Sequence, residues 1–391
     1  MTKKYQRCII FFGEDWGRLN STAQYLANAM VNNHQIIWIN SLGLREPEFN
    51  LGDLKRIFVK LFATVSSLFK NKKIETNLSK GNDLLVLSPI AIPYLKFKLI
   101  RFINRKLIMK YLHNFLKPYD VSQAYLISAC PATADIVRDI RAKKIIYYCA
   151  DQYYAQPGMN KTLVTELENK LIVASDLVVV TSRALIGEKQ ELARNIQYLP
   201  HGVNYAHLSK ALKNNYSIPD DIRNLETPLI GYVGSIGNHL NFDFIKHVAS
   251  NINKGSIIMI GPVEDDVMTL PKHDRIKYLG MKNYEQLPAY IQNFTVCIMP
   301  WNEQSERIKY AHPTKLREYL AAGVPVVSLA HSEVEGVSEY ILTCNTKEGF
   351  LGNINKVLDS QYDRTAISNS MRNEDWSNRA RTLLDYIEAI N

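Results

Sequence analysis

The chain has 391 residues, a length typical of two ordinary domains, and apolar side chains make up 46% of it against 22% for charged ones. This composition excludes collagen-like, low-complexity and disordered proteins. The net charge is +9, but it is unevenly distributed. Residues 51–120 hold 14 Lys and Arg against 4 Asp and Glu, which leaves the rest of the chain close to neutral.

Two further features bear on the cellular compartment. The sequence has no apolar stretch long enough to span a bilayer, and its start lacks an apolar region followed by a cleavage site. The five cysteines are scattered without a C-x-x-C pair, which argues against a disulfide framework, and no cluster has metal-ligand spacing. We therefore expect a cytoplasmic protein without a bound metal.

Short apolar runs alternate with segments of helical period along most of the chain. The runs do not alternate between apolar and polar residues, as half-exposed strands do. Continuous apolar runs are typical of strands that are buried on both faces of a parallel sheet. The predicted strands are Cys8–Phe12, Gln35–Ile39, Leu84–Leu87, Ala124–Ile127, Lys144–Cys149, Leu177–Val180, Leu229–Val233, Ser256–Ile260, Thr295–Met299 and Val324–Leu329. Because about ten strands exceed one ordinary open sheet, we predict two doubly wound α/β domains.

We place the domain boundary in the polar segment 199–227, where one strand series ends and Pro228 precedes the next. The predicted domains are residues 1–205 and 206–365, followed by a helical segment at 366–391.

The basic segment holds two predicted helices, at 53–70 and 95–116. In each, apolar residues form one stripe at spacings of three and four, and cationic residues lie off that stripe. This pattern suits docking on an anionic membrane surface, although an ordinary surface helix packed on a sheet shows it too. We expect no nucleic-acid partner, since no nucleic-acid motif accompanies the basic residues.

In open α/β sheets, ligands bind beyond the carboxyl ends of the strands, which draws attention to the loop 231–239. Gly234, Ser235 and Gly237 lie between a predicted strand and a helix, where glycines let the backbone approach a phosphate. A tight turn without a ligand explains the same glycines. The G-x-x-G-x-x-G spacing, and the lack of an acid after the next strand, argue against a dinucleotide site.

A second candidate lies at residues 311–327, where a predicted helix begins near Pro313 and ends at Gly323. Lys315 and Glu318 are three residues apart and therefore share a helix face. A cation and a carboxylate placed in this way suit a diphosphate and a ribose diol, respectively. The alternative is a surface ion pair of little energetic consequence.

The block P-x-K-x-x-E-Y-L-A-x-G-x-P-V-V at residues 313–327 resembles the donor-site signature of nucleotide-sugar glycosyltransferases of the GT-B fold. The loop 231–237, the segment 199–204 and the pair Asp375-Trp376 are similar to further segments of that family, in the same order. The likeness is greatest to bacterial exopolysaccharide and teichuronic-acid enzymes, which are group 1-like. It implies two Rossmann-like domains facing a cleft, with a C-terminal helix returning to the N-terminal, acceptor-binding domain.

The resemblance also implies roles for single residues. Glu318 would bind the ribose hydroxyls, and Lys315 would bind the phosphates or a sugar carboxylate. The other residues expected on the donor side are Gly234, Ser235, Gly237, His312 and Thr314. Many retaining members carry E-x7-E, but this chain has Tyr310 where the first acid would stand, so the usual retaining constellation is incomplete.

Sugar transfer with inversion needs a base that takes a proton from the acceptor hydroxyl. Asp151 follows a predicted strand in the N-terminal half and is the first candidate, with helix capping as the alternative. Asp15 follows the first strand and is the second candidate, with Trp16 and Arg18 beside it on the expected acceptor side. Here the alternative is a loop whose Asn20 or Ser21 caps the next helix.

These observations predict a glycosyltransferase that moves a sugar from a nucleoside-diphosphate sugar, with UDP as the expected nucleotide, to a lipid-linked or polysaccharide acceptor. We expect it at the inner face of a bacterial membrane, in cell-surface polysaccharide synthesis, and without a cofactor or metal. Two alternatives remain open, namely a nucleotide-sugar 2-epimerase of the same fold and a non-catalytic sugar-nucleotide scaffold.

Overall fold

A computed structural model describes residues 7–18, 21–44, 84–156, 158–213, 216–264 and 267–390. The predicted basic helix at 53–70 lies outside the described residues. The chain divides into two compact units, of which the first is Met1–Leu199 with Ala380–Asn391 and the second is Pro200–Arg379.

The first unit is built on a parallel sheet, which has seven strands within the described residues, in the order β3-β2-β1-β4-β5-β6-β7. The strands are β1 Cys8–Phe12, β2 Gln35–Ile39, β3 Leu84–Leu87, β4 Tyr125–Ser128, β5 Lys144–Cys149, β6 Leu177–Val180 and β7 Ile196–Tyr198. In this register Phe12 pairs with both Ile39 and Ser128, so the central strands end level with one another. The loops that follow β1 and β5 therefore leave the same edge of the sheet.

Helices connect the strands of the first unit. The α-helices are Thr22–Met30, Lys98–Leu116, Lys161–Ala174 and Arg183–Lys189, and the 3₁₀ segments are Val121–Gln123, Pro131–Thr133, Val137–Ile140 and Tyr153–Ala155. Ser21 caps the first helix by accepting a hydrogen bond from the Gln24 amide, which confirms one of the two capping alternatives for that loop.

The second unit repeats this design, with a six-stranded parallel sheet in the part of the chain that the structure describes, in the order β10-β9-β8-β11-β12-β13. Its strands are β8 Leu229–Val233, β9 Ser256–Ile260, β10 Ile276–Gly280, β11 Phe294–Met299, β12 Val326–Leu329 and β13 Ile341–Cys344. The α-helices are Tyr205–Leu208, Phe242–Asn251, Leu287–Ile291, Glu306–Lys309, Thr314–Ala321, Lys347–Leu358 and Arg364–Asn369, and the 3₁₀ segments are Ser209–Lys213, Tyr284–Gln286 and Arg372–Glu374. The prediction of two doubly wound α/β domains is confirmed.

The last helix, Trp376–Ala389, begins in the second unit and ends in the first. Val203 forms an isolated parallel β-bridge with Asp375. This bridge joins the first residues of the second unit to its last ones. The unit boundaries therefore fall at 199/200 and 379/380, where the sequence suggested 205/206 and 365/366.

Three strands that the sequence did not predict are β7, β10 and β13, and all three are edge strands. Their residues are mostly half-buried or exposed, whereas every residue of β8 and β9 is buried. Edge strands bury less surface and need no continuous apolar run, so the criterion that found the central strands does not detect them.

Candidate functional site

The glycine-rich turn of the second unit begins where β8 ends, next to β9 and β11. The Gly234 amide donates to Ile260 O at 2.8 Å, and the Ile236 amide donates to Pro262 O at 2.8 Å. The Tyr232 hydroxyl donates to Ser235 O at 2.8 Å. These bonds fix the turn at the carboxyl edge of the sheet, the edge at which open α/β folds bind ligands.

Tyr319 joins the 314–321 helix to this turn. Its buried hydroxyl accepts a hydrogen bond from the Val233 amide at 2.8 Å and donates one to Val233 O at 3.0 Å. Burial raises the pKa of the Tyr319 phenol well above its usual value, so the hydroxyl keeps the proton that it donates. The helix is therefore held beside the last residue of β8.

Lys315 lies one turn before Tyr319 and its side chain covers Gly234. A Cβ added to Gly234 would overlap Cε of Lys315 and lie 2.9 Å from its Nζ. Only glycine allows the lysine stem to pass so close to the turn. Pro313 precedes the helix, and its side chain does not cap it.

Glu318 lies on the same helix and is half-buried. Burial raises the pKa of its carboxyl group, and the nearby Lys315 ammonium offsets part of that rise. Lys315 and Glu318 thus interact electrostatically, as their spacing predicted. Thr314 is half-buried at the first position of the helix, beside Lys315.

A second group of charges lies against the turn at Gly237, where an added Cβ would overlap Oε2 of Glu264. Glu264 forms an ion pair with Arg307 at 3.2 Å and lies 3.6 Å from Nδ1 of His239. Burial would raise the pKa of Glu264, but a hydrogen bond with Ser235 and the Arg307 charge lower it overall. Sequence reasoning missed Glu264 and Arg307, because 43 residues separate them and neither belongs to a motif.

His312 lies beside this site with its side chain fully buried. Its Nδ1 accepts a hydrogen bond from the His201 amide at 3.3 Å, and its Nε2 lies 3.9 Å from a carboxylate oxygen of Glu333. Burial and the Arg317 charge lower the pKa of both imidazoles, that of His201 to about 3. The His312 ring is thus packed among groups of the protein, and its contact with a donor stays a prediction.

In the first unit, the loop after β1 carries the predicted acceptor-side residues. Asp15 and Arg18 are exposed, and Trp16 is half-buried. The Trp16 ring meets the Trp38 ring edge-on at a centroid distance of 4.9 Å, and its amide donates to Oδ1 of Asn40 at 2.9 Å. Trp16 is therefore held as a partly exposed aromatic surface at the carboxyl edge of the sheet.

Asp151 is exposed and lies two residues after the end of β5. The helix that follows is capped by Asn160, whose side chain accepts from the Leu163 amide at 3.1 Å, so Asp151 does not cap it. In the sheet order only β4 separates β5 from β1, which places Asp151 and Asp15 on loops at one edge. Both candidate bases thus lie at the carboxyl edge of the sheet of the first unit, and open α/β folds bind ligands at this edge.

Most of the second unit matches a known protein family. Residues 227–360 match the family described as glycosyl transferases group 1, and this range includes Gly234, Lys315 and Glu318. Residues 227–360 are a group 1 glycosyltransferase domain. The sequence resemblance is thereby confirmed, and the expectation of a transferase is confirmed at the level of the family.

The chain is also similar to the putative teichuronic acid biosynthesis glycosyltransferase TuaH of Bacillus subtilis strain 168. The two are 26% identical over 269 residues, which is 62% of this chain and 66% of the relative. The aligned region thus leaves about a third of each protein unmatched.

Solved structures of GT-B glycosyltransferases share the fold along nearly the whole chain. Sucrose-phosphate synthase from Thermosynechococcus elongatus has a TM-score of 0.65 at 12% identity, with 98% of both chains covered. A trehalose-6-phosphate protein of E. coli, bound with UDP-2-fluoro glucose, has a TM-score of 0.68 at 11% identity, with 98% of this chain and 99% of the other covered. Anabaena HepE, in complex with UDP and glucose, has a TM-score of 0.62 at 13% identity, with 97% and 99% covered.

Two kinds of feature are absent from the described parts of the chain. No helix in those ranges is both long and apolar enough to cross a bilayer. Within the same ranges, no three His, Cys, Asp or Glu side chains are grouped so that they could share a metal ion.

Proposed function

We propose that the protein transfers a sugar from a UDP-sugar to a lipid-linked or polysaccharide acceptor in bacterial cell-surface polysaccharide synthesis. The observation that carries this proposal is the position of Lys315 directly over Gly234, with Glu318 on the same helix face. A cation, a close-approach glycine and a carboxylate lie together at the carboxyl edge of a parallel sheet, inside a group 1 glycosyltransferase domain.

In this proposal the donor binds with its diphosphate between the Gly234–Gly237 turn and the Lys315 ammonium. The N-terminal end of the 314–321 helix adds partial positive charge for the phosphate oxygens. Glu318 accepts hydrogen bonds from the ribose hydroxyls, a role for which a half-buried carboxylate is well suited. UDP is favoured as the nucleotide because HepE and the trehalose-6-phosphate protein were solved with UDP or a UDP-sugar.

The chemical step we propose is a direct displacement at the anomeric carbon. Asp151 takes the proton of the acceptor hydroxyl, whose oxygen forms a bond to the anomeric carbon as the bond to the diphosphate oxygen breaks. The diphosphate leaves with the bonding electron pair, and Lys315 stabilises the charge that develops on it. Asp15 is the second candidate for the base, and Trp16 and Arg18 are proposed to contact the acceptor.

The acceptor class is proposed from the relative of known name, which is assigned to teichuronic acid biosynthesis. A membrane-bound acceptor also agrees with the surface of the 98–116 helix. Phe97, Leu99 and Phe102 are 53%, 69% and 55% exposed, so three large apolar side chains stand outward at its start. Lys96 and Lys106 lie over the Phe97 and Phe102 rings, at 5.3 and 5.6 Å from the ring centroids.

The opposite face of that helix is anchored to the protein. Asn104, Ile108, Leu112 and Leu116 are buried at intervals of four residues. Arg105 forms a hydrogen-bonded ion pair with Asp139, and Arg101 forms one with Glu166 at 2.7 Å. The arginines thus hold the helix to its own unit while the lysines flank the exposed aromatic rings, an arrangement that suits an anionic lipid surface. We propose peripheral binding at the inner face of the membrane.

The proposal is tested by a thermal-shift screen with UDP-, GDP-, dTDP- and ADP-sugars, followed by product analysis with a bacterial membrane lipid extract. We expect a UDP-sugar to stabilise the wild-type protein, by about 2.7 kcal/mol at one hundred times its dissociation constant, and UDP release to require the extract. Release of an isomerised UDP-sugar without acceptor would establish an epimerase. Binding without any turnover would favour the scaffold.

A further inference from the structure

The first unit contains a buried ion pair that the proposed reaction does not use directly. Lys189 Nζ lies 2.9 Å from Oε1 of Glu168, and the two side chains are only 3% and 4% exposed. Burying two charges costs several kcal/mol of desolvation per ion, and apolar residues of similar size often replace such a pair without loss of stability. A contribution to stability is therefore a weak explanation for this pair.

The ion pair is connected to the segment that carries Asp151. Lys189 Nζ also donates to Oε1 of Gln152 at 2.9 Å, and Gln152 is buried. Glu168 accepts a hydrogen bond from the Tyr147 hydroxyl at 2.6 Å, and Tyr147 belongs to β5. The pair therefore links Tyr147 of β5 to Gln152, the residue that directly follows Asp151.

The backbone around Asp151 is held by further side chains. The Thr181 hydroxyl donates to Ala150 O at 2.7 Å, and the Cys149 thiol donates to Asp151 O at 3.3 Å. The Tyr153 hydroxyl donates to Ala129 O. Hydrogen bonds thus engage four successive residues from 150 to 153, yet Asp151 itself is exposed at the carboxyl edge of the sheet.

We propose that Lys189 and Glu168 are positioning residues that act through Gln152 to hold Asp151 in the orientation needed to accept the acceptor proton. This inference rests on the proposed role of Asp151. A rigid support shell keeps a reacting group in its productive geometry, and displacement of such a group by about 1 Å can lower a rate by about 100-fold.

The test uses the double variant Lys189→Met/Glu168→Gln, which removes both charges together and leaves no unpaired buried ion. The matched control is Lys170→Met, which removes a lysine charge that is 55% exposed and paired with Asp135 in the same unit. Gln152→Leu breaks the link to the loop while the ion pair remains.

Hydrogen exchange of the 149–155 amides gives a readout that needs no substrate. We expect exchange at least about tenfold faster in the double variant and in Gln152→Leu, with the control like wild type. Unchanged exchange in this segment would overturn the positioning role, whether or not the protein is a glycosyltransferase.

The second readout is UDP release from UDP-glucose, or from the UDP-sugar with the largest thermal shift, in the presence of the lipid extract. We expect kcat to fall at least about tenfold in the double variant with the donor KM unchanged, and no further fall when the same changes are made in Asp151→Asn. Additive losses would overturn the inference while leaving the glycosyltransferase proposal standing. Absence of turnover in the wild type would instead overturn the proposed function.

Discussion

Glu264 forms an ion pair with Arg307, with 3.2 Å between Oε1 and Nη1, directly beside the Gly234–Gly237 turn. The carboxylate also engages the Ser235 hydroxyl, and its lowered pKa keeps it ionised near neutral pH. A negative charge is thus held where we propose that the donor diphosphate binds. Arg307 in turn supplies a cation within reach of the same turn.

We predict that Glu264→Gln strengthens donor binding by about five- to tenfold, because it removes a charge that repels the diphosphate at short range. Isothermal titration with the UDP-sugar measures the change. Glu303→Gln is the matched control, since Glu303 is an exposed carboxylate of the same unit. Weaker binding in Glu264→Gln would show that this carboxylate contacts the donor favourably instead.

Gly234→Ala should displace the Lys315 side chain, since the added Cβ overlaps Cε of the lysine. We expect donor affinity to fall at least about tenfold, which corresponds to about 1.4 kcal/mol. Gly352→Ala is the control, because Gly352 lies in the 347–358 helix with no atom near an added Cβ. Donor affinity that survives in Gly234→Ala would remove Lys315 from the proposed site.

Glu318→Gln should lower the affinity for the donor and raise the thermal stability of the protein at pH 7. Burial raises the pKa of the Glu318 carboxyl group, so the folded state favours the protonated form. Once the pH rises above the ordinary pKa of 4.5, the ionised carboxylate therefore lowers the free energy of unfolding. We therefore expect the variant to gain thermal stability over wild type at pH 7 but not at pH 4. Donor affinity should fall by about 10- to 100-fold, since a hydrogen bond to a charged group contributes about 1.5–3 kcal/mol.

The melting temperatures of both proteins at both pH values, without donor, check the first part. Titration with a UDP-sugar checks the second. A variant that is less stable than wild type at pH 7 would show that the carboxylate is stabilised by its surroundings.

The triple variant Phe97→Ser/Leu99→Ser/Phe102→Ser should weaken binding to anionic vesicles, because it removes the exposed apolar patch of the 98–116 helix. Wild-type binding should also fall as the salt concentration rises from about 0.1 to about 0.5 M. The Debye length is about 10 Å at 0.1 M and becomes shorter at 0.5 M, which weakens the attraction between the lysines and the lipid charges. Sedimentation with vesicles of phosphatidylglycerol measures both effects. Val173→Ser is the control, since Val173 is 48% exposed on another helix of the same unit. Equal sedimentation of the triple variant and wild type would exclude this helix as the membrane contact.

UDP release should persist in excess EDTA, because Lys315 and backbone amides are proposed to neutralise the leaving diphosphate. Rates measured with EDTA, and after addition of Mg²⁺ or Mn²⁺, check this expectation. Loss of activity that a divalent ion restores would replace the lysine-based account with a metal-dependent one.

Local patterns in the sequence determined the central strands and the helix face that Lys315 and Glu318 share. Buried apolar runs such as Ile9–Phe12 and Leu177–Val180 predicted the central strands, since a strand covered on both faces must be apolar throughout. The spacing of Lys315 and Glu318 predicted a shared helix face, because helical geometry is set by positions along the chain.

Tertiary structure alone decided which distant groups meet. The pairs Glu264–Arg307 and Glu168–Lys189 join separate elements, and no local periodicity encodes them. The edge strands were likewise decided by their neighbours, because a half-exposed segment becomes a strand only when a sheet edge offers it hydrogen bonds. Lys315 lies over Gly234 because Tyr319 holds its helix against β8, and this packing brings the two motifs together.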